Sequence, residues 1–159
     1  MEVRIAVSAC LCGIPCRYDG KSKPLPLAMK WWEDGVALPV CPECLGGLPT
    51  PRVPCECVGR RVIASDGTDC TAAYLAGARA ALDRCRAYGI TCAVLKEGSP
   101  SCGVDRIYDG THTGRLVAGM GVTARLLVEN GFTVYSEKTV PPDLLQLLES
   151  CNDLPSEET

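Results

Sequence analysis

A single histidine stands among 159 residues. A Cys–His hydrolase would have to be built on His112, in the Gly- and Thr-rich stretch Tyr108-Asp-Gly-Thr-His-Thr-Gly114, where a lone histidine ordinarily faces water. No apolar run approaches the roughly 20 residues that a membrane-spanning helix requires, so no membrane partner is expected. The opening Met1-Glu-Val-Arg-Ile-Ala-Val7 lacks the charged region, long apolar core and cleavage site of a secretory leader, so the expected compartment is the cytoplasm. Net charge is −3, and the 16 Lys and Arg are scattered, without the basic footprint of a general nucleic-acid binder. Polynucleotide is therefore not an expected partner.

Cysteine is present in excess, with twelve residues. In a reducing compartment such usage argues for metal binding or catalysis over disulfides. Free cysteine also serves as a small apolar filler, and about half of the twelve are expected to do no more than that. With 47% apolar residues the chain can bury a real core. One domain is expected over residues 1–150, followed by an acidic tail over 151–159.

Strand patterns run from Val3 to Val7, Val36 to Val40, Ile90 to Lys96 and Phe132 to Tyr135, with a small hairpin within Cys55 to Ala64. Helix patterns run from Leu25 to Glu33, Thr71 to Tyr88, Val122 to Asn130 and Pro141 to Glu149. The second of these puts Tyr74, Leu75, Ala78 and Leu82 on one face, with Thr68 or Asp69 as N-cap and Gly89 as its stop. Cys10 to Gly20, Cys41 to Pro54 and Tyr108 to Gly114 read as loops, the middle one excluded from regular structure by its four prolines and two glycines. Alternation of strands and helices predicts a single-domain, three-layer, Rossmann-like α/β fold, with a mostly parallel sheet and helices on both faces. Ligands bind such sheets beyond the carboxyl ends of the strands. Cys10, Cys41, Cys102 and Glu137 each lie just past a predicted strand end, so the sheet would gather them on one rim.

Three thiolates from three loops can hold zinc with one position open, or a cubane cluster with one iron unprotected. Structural zinc is a third reading, with Cys41-Pro-Glu-Cys44 supplying one half of the site and Cys10/Cys12 or Cys55/Cys57 the other. Glu43, two residues from Cys41, is a candidate general acid or base, against the plain reading of a solvated loop glutamate. Ser101 can donate a hydrogen bond to substrate or cluster sulfur, or be a turn serine. Tyr18 and Tyr108, each opening a Tyr-Asp-Gly turn, can wall the pocket and stack on a planar ligand. Cys70, Cys85, Cys92 and Cys151 fall in or beside regular elements, where packing is the expected role.

Several blocks carry a specific resemblance. Val7-Ser-Ala-Cys-Leu11 with Cys16-Arg-Tyr-Asp-Gly20, Cys41-Pro-Glu43 with Leu45-Gly-Gly-Leu-Pro-Thr-Pro-Arg52, and Leu95-Lys-Glu-Gly-Ser-Pro-Ser-Cys-Gly103 with Ile107-Tyr-Asp-Gly110 resemble the bacterial family that includes thiouracil desulfidase. The resemblance runs in family order from Val3 to Glu137. It implies a [4Fe-4S] cluster on Cys10, Cys41 and Cys102, with the fourth iron free to take the sulfur of a thiocarbonyl. Water would add to the ring carbon, and sulfide would leave without net redox change. Glu43 would handle the proton of that water, Ser101 would assist by hydrogen bonding, and Ser8, Tyr18 and Tyr108 would contact the substrate, a small thiolated nucleobase or related thio-compound. Cys12 and Cys44 depart from the family pattern beside proposed ligands, and Cys44 competes with Cys41 for the ligand role. Cys16, Cys55 and Cys57 look additional, for sulfur storage or packing. The alternative is a non-catalytic protein handling metal or sulfur through the same thiols.

Overall fold

The computed structural model describes residues 2–152. Strand β1 (Ile5–Ser8) leads through a 3-10 turn over Ala9–Cys12 to α1 (Pro26–Glu33) and β2 (Ala37–Val40). A short α2 (Pro42–Leu45) is followed by the hairpin of β3 (Cys55–Val58) and β4 (Arg61–Ala64), then by α3 (Thr71–Ala87) and β5 (Cys92–Leu95). A second hairpin, β6 (Arg106–Tyr108) and β7 (Leu116–Ala118), precedes α4 (Val122–Glu129), β8 (Thr133–Ser136) and α5 (Leu144–Asn152).

Four strands form one parallel sheet in the order β2-β1-β5-β8. β1 is buried along its whole length, as a parallel strand covered on both faces should be. Ile5 and Val7 pack with Cys92 and Val94 against Ala28 and Trp31 of α1 and Leu144 of α5. Ala6, Ala93 and Leu95 point the other way, onto Leu82 and Cys85 of α3 and Ala124 and Leu127 of α4. The three expected layers are there, each face sealed by side chains whose burial stabilises by about 1.5–3 kcal/mol apiece for the larger ones. Cys85 and Cys92 are core fillers. The side chain of Cys151, like the acidic tail beyond Asn152, lies outside the described residues.

Local differences from the sequence reading have physical causes. The Cys10 to Gly20 loop opens with the 3-10 turn, which Gly13 closes at φ +92°. α2 forms inside the proline-rich stretch because Pro42 occupies a first-turn position, where its missing N–H leaves nothing unpaired. Tyr108 to Gly114 is the tip region of the β6–β7 hairpin rather than a free loop. The N-cap of α3 is Cys70, while the Asp69 carboxylate accepts the Thr71 N–H at 2.9 Å from one residue further out. Leu75 is 51% exposed, outside the inner face of α3. α5 begins at Leu144, after Pro141 and Pro142.

α2 rests directly on α3 through two glycines. A Cβ on Gly77 would lie 1.8 Å from the Pro42 carbonyl oxygen, and one on Gly46 would lie 2.1 Å from that of Ala73. Backbone meets backbone there, so no side chain can be inserted without moving a helix. Gly77→Ala should lower stability by about 1–3 kcal/mol or more through overpacking. A urea-unfolding midpoint unchanged from wild type would show that the two helices are not docked in this way.

Candidate active site

The order β2-β1-β5-β8 reverses direction between β1 and β5, which is where a parallel sheet opens a crevice at its carboxyl edge. Cys10 follows β1 in the 3-10 turn, Cys41 is the N-cap of α2 directly after β2, and Cys102 sits in the turn after β5. Cys10 and Cys102 are buried and Cys41 is half-buried. All three line a single cavity of about 340 Å³, at the small end of ligand-site volumes. Ser8, Tyr18, Glu43 and Tyr108 share its wall, so seven of the eight residues expected at the site meet in one place.

Ser101 is the exception. It is 1% exposed, pairs its hydroxyl with that of Thr123 at 2.7 Å, and stands behind the wall rather than on it. The neighbouring hydroxyl at the cavity is Ser99, whose Oγ accepts the N–H groups of Ser101 and Cys102, both at 3.0 Å, and so ties the thiol turn together. Ser8 is likewise engaged, its Oγ accepting the Lys96 N–H at 2.9 Å across the β1–β5 pair. Tyr18 and Tyr108 are 40% and 37% exposed, placing them at the mouth. Glu137 is set back from the cavity, accepting the Glu97 N–H at 2.7 Å and pairing with Lys96 at 2.9 Å.

Glu43 is held, not solvated. Arg52 Nε donates to its Oε1 at 2.8 Å, with the two side chains only 7% and 14% exposed, and Ser99 Oγ lies 3.5 Å from Oε2. The rest of the guanidinium donates to the carbonyls of Cys16 and Pro49 and to Thr50 Oγ1 at 2.9–3.0 Å. With four of its five N–H donors engaged, the fork fixes the direction of the carboxylate. Arg52 closes one of the quoted sequence blocks, but its pairing with Glu43 is a tertiary fact that periodicity does not carry.

Burial pushes the Cys10 thiol up to about 12, with negative charge at Cys102 and Cys41 adding and Lys96 and Arg17 opposing. Cys102 is pushed to about 12 by burial first, then by the charges of Cys41 and Glu43, while hydrogen bonds from Ser8 and Ser101 oppose. Cys41 is raised by its hydrogen bond with the Cys16 thiol and then by burial. Left to themselves the three stay protonated at neutral pH, because each thiolate would repel the others in a poorly solvated space. A cationic centre between them reverses that balance, since metal binding drives thiol deprotonation. Among the described residues no three His, Cys, Asp or Glu side chains converge on one point as ligands of a single ion. Thiols spread around a cavity suit a cluster that takes one thiolate per iron better than a tetrahedral zinc. The donor set therefore fits an iron–sulfur cluster.

The other thiols separate by place. Cys16 and Cys55 line the cavity, Cys12 is buried under α1 with its sulfur 4.0 Å from the Ala28 carbonyl, and Cys44 is exposed on α2 outside the lining. Cys57 reaches the Pro100 carbonyl at 3.5 Å. His112 is away from the cavity and faces Glu56, which also accepts the Gly110 and His112 N–H groups and so anchors the loop after Tyr108.

Glu97 is a further buried carboxylate that the sequence reading passed over. Its Oε1 accepts the N–H groups of Val104, Asp105 and Arg106 at 2.7, 3.0 and 2.9 Å, gathering the chain just after Cys102. Burial pushes this carboxyl up, but the backbone donors of Arg106, Asp105, Val104 and Gly98 outweigh it and hold it below its ordinary 4.5.

These features define a class, an α/β protein whose strand-end thiols form a cofactor-sized pocket beside an ion-paired carboxylate. Within it, the chain belongs to the 2-thiouracil desulfurase family, whose model matches residues 5–139. The protein YbbK of Bacillus subtilis, described as uncharacterized, is 39% identical over 143 residues, spanning 84% of this chain and 95% of that protein. A solved structure described as the [4Fe-4S]-dependent thiouracil desulfidase TudS is 46% identical and superposes with a TM-score of 0.85, covering 95% of this chain and 99% of that one.

Because the native Glu97 carboxyl is depressed, the stability it contributes is complete above its ordinary value of 4.5 and is lost as pH falls through the lower native value. The gap between wild type and Glu97→Gln in urea unfolding should be full above about pH 5 and shrink below it. A gap that stays constant down to about pH 3 would show that Glu97 does not act as an ionised acceptor.

Proposed function

We propose that this chain is a [4Fe-4S]-dependent desulfidase that hydrolytically removes sulfur from a thiolated pyrimidine such as 2-thiouracil, giving the oxo-compound and sulfide without net redox change. The observation that carries the reading is the meeting of Cys10, Cys41 and Cys102, from three strand-end loops, in one cavity with a guanidinium-bound Glu43 on its wall. Membership of the family and the printed activity of the TudS relative support the same chemistry.

Cys10, Cys41 and Cys102 would hold the cluster, one thiolate to an iron. When bound, the cluster supplies a Lewis-acidic iron without a protein ligand, toward which a thiocarbonyl sulfur is polarised. Glu43 takes the proton of the water that adds to the thiolated carbon, its carboxylate aimed by Arg52 and Ser99. Tyr18 and Tyr108 wall the mouth and stack on the planar ring, and Ser8 lies on the substrate side of the β1 end. Ser101 serves from behind the wall, by a hydrogen bond to the Cys102 sulfur. A reducing cytoplasm would keep the thiols free, and all eleven cysteines whose side chains are described are free.

Anaerobically purified protein should be brown and carry about four iron and four sulfide per chain, as a cubane cluster requires. Cys10→Ala and Cys102→Ala should abolish that content, Cys41→Ala should do the same, and Cys44→Ala should leave it intact. Colourless protein containing zinc would overturn the reading in favour of a non-catalytic metal carrier. Glu43→Gln should keep the cluster and slow sulfide release from 2-thiouracil by about 10²- to 10⁴-fold, the range for a lost general base.

A further inference from the structure

The crossing of α2 on α3 that Gly46 and Gly77 permit also fixes what lies under Glu43. Glu43 follows Pro42, whose carbonyl oxygen presses on Gly77, and Tyr74 precedes Gly77 by one turn on the same buried face of α3. Tyr74 is 2% exposed yet lines the cavity together with Glu43 and Cys55. A buried phenol needs a hydrogen-bond partner, and a carboxylate is the stronger acceptor of these two. Burial, then the negative charges of Glu43 and Cys55, push the phenol well above its ordinary 10, so it remains an O–H donor throughout the working range.

We propose that Tyr74 is a positioning residue for desulfuration, its phenol donating to the Glu43 carboxylate as a third point of attachment beside Arg52 and Ser99. This rests on the reading of Glu43 as the group that takes the water proton. An ionised carboxylate offers about four lone-pair directions. Arg52 and Ser99 approach two of them, and the Tyr74 phenol would take a third, leaving one for the attacking water. The glycine crossing would then be more than a packing device, because it seats α2, which carries Glu43, on the face of α3 that carries Tyr74.

The test uses the anaerobically reconstituted holoenzyme with 2-thiouracil, comparing Tyr74→Phe, Glu43→Gln and the double variant. Tyr74→Phe should retain full iron and sulfide content and an unchanged thermal midpoint. Its kcat should fall about 10- to 100-fold, the range for partners acting through a first residue, with KM within about twofold. The double variant should be no slower than Glu43→Gln alone, because Tyr74 has nothing to position once the carboxylate is gone. Multiplying effects would overturn the proposal, as would a rise in KM at unchanged kcat, or loss of the cluster. Wild-type activity in Tyr74→Phe beside a crippled Glu43→Gln would sink the positioning role and leave the general-base reading standing. Full activity in Glu43→Gln would remove that reading and the Tyr74 role with it.

Discussion

Parallel pairing of β1 with both β2 and β5 is the constraint on which the rest depends. Ile5 opposite Ala37, and Ala6 opposite Ala93, put three strands in step, so that their carboxyl ends finish on one edge. Three thiols far apart in the chain reach one cavity because each follows such an end. A parallel sheet must be covered on both faces to be stable, and the alternation of Ile5, Ala6 and Val7 between two clusters supplies that cover. Stability and site are thus products of the same register, and a slip of one residue along β1 would exchange the faces of every core side chain.

The edge is also a poor place to solvate charge. Burial pushes the Cys10 and Cys102 thiols up to about 12, and mutual repulsion adds to it, so the protein alone keeps these thiols neutral. A cationic centre among them would reverse that balance. The same poor solvation makes the Glu43–Arg52 pair costly unless its donors are used, and Arg52 places four of its five on Glu43, Cys16, Pro49 and Thr50. Charge in this cavity is tolerated where it is tied down at several points.

That three thiols would meet at one edge was legible in the sequence because strand ends announce themselves locally. A short apolar run stopped by Pro or Gly marks its own carboxyl end, and Cys10, Cys41 and Cys102 each stand within a few residues of one. Helix boundaries set by glycine, at Gly89 and Gly131, were legible for the same reason, both residues adopting positive φ. What escaped was whatever depends on a partner distant in the chain. Nothing near Arg52 says that it meets Glu43, nothing near Glu97 says that it gathers residues 104–106, and Tyr74 reads as one more apolar position of an amphipathic helix. The place of Ser101 behind the cavity wall has a different origin. Ser99 and Ser101 lie two apart in one turn, and only the docking of the α4 N-terminus, whose Thr123 and Ala124 N–H groups reach the Ser101 carbonyl, decides which hydroxyl faces inward.

That docking completes the cradle. A Cβ on Gly121 would lie 2.5 Å from the Ser101 carbonyl, so α4 meets the Cys102 turn backbone to backbone, as α2 meets α3 at Gly46 and Gly77. Two thiol-bearing segments are therefore seated on helices through glycine contacts that leave no slack for a side chain. Glu97 grips the far side of the Cys102 turn through three N–H groups, and Ser99 closes it from within. A thiol on an unsupported loop would follow its ligand, whereas a turn pinned on three sides makes the ligand come to it. Rigidity of this kind suits a site that must keep one coordination position open, since a mobile fourth thiol would otherwise fill it. Cys44, the nearest competitor in sequence, is exposed on α2, but its sulfur lies 4.0 Å from the Cys16 carbonyl that the Cys41 sulfur approaches at 3.8 Å, so the two thiols share one acceptor at this edge.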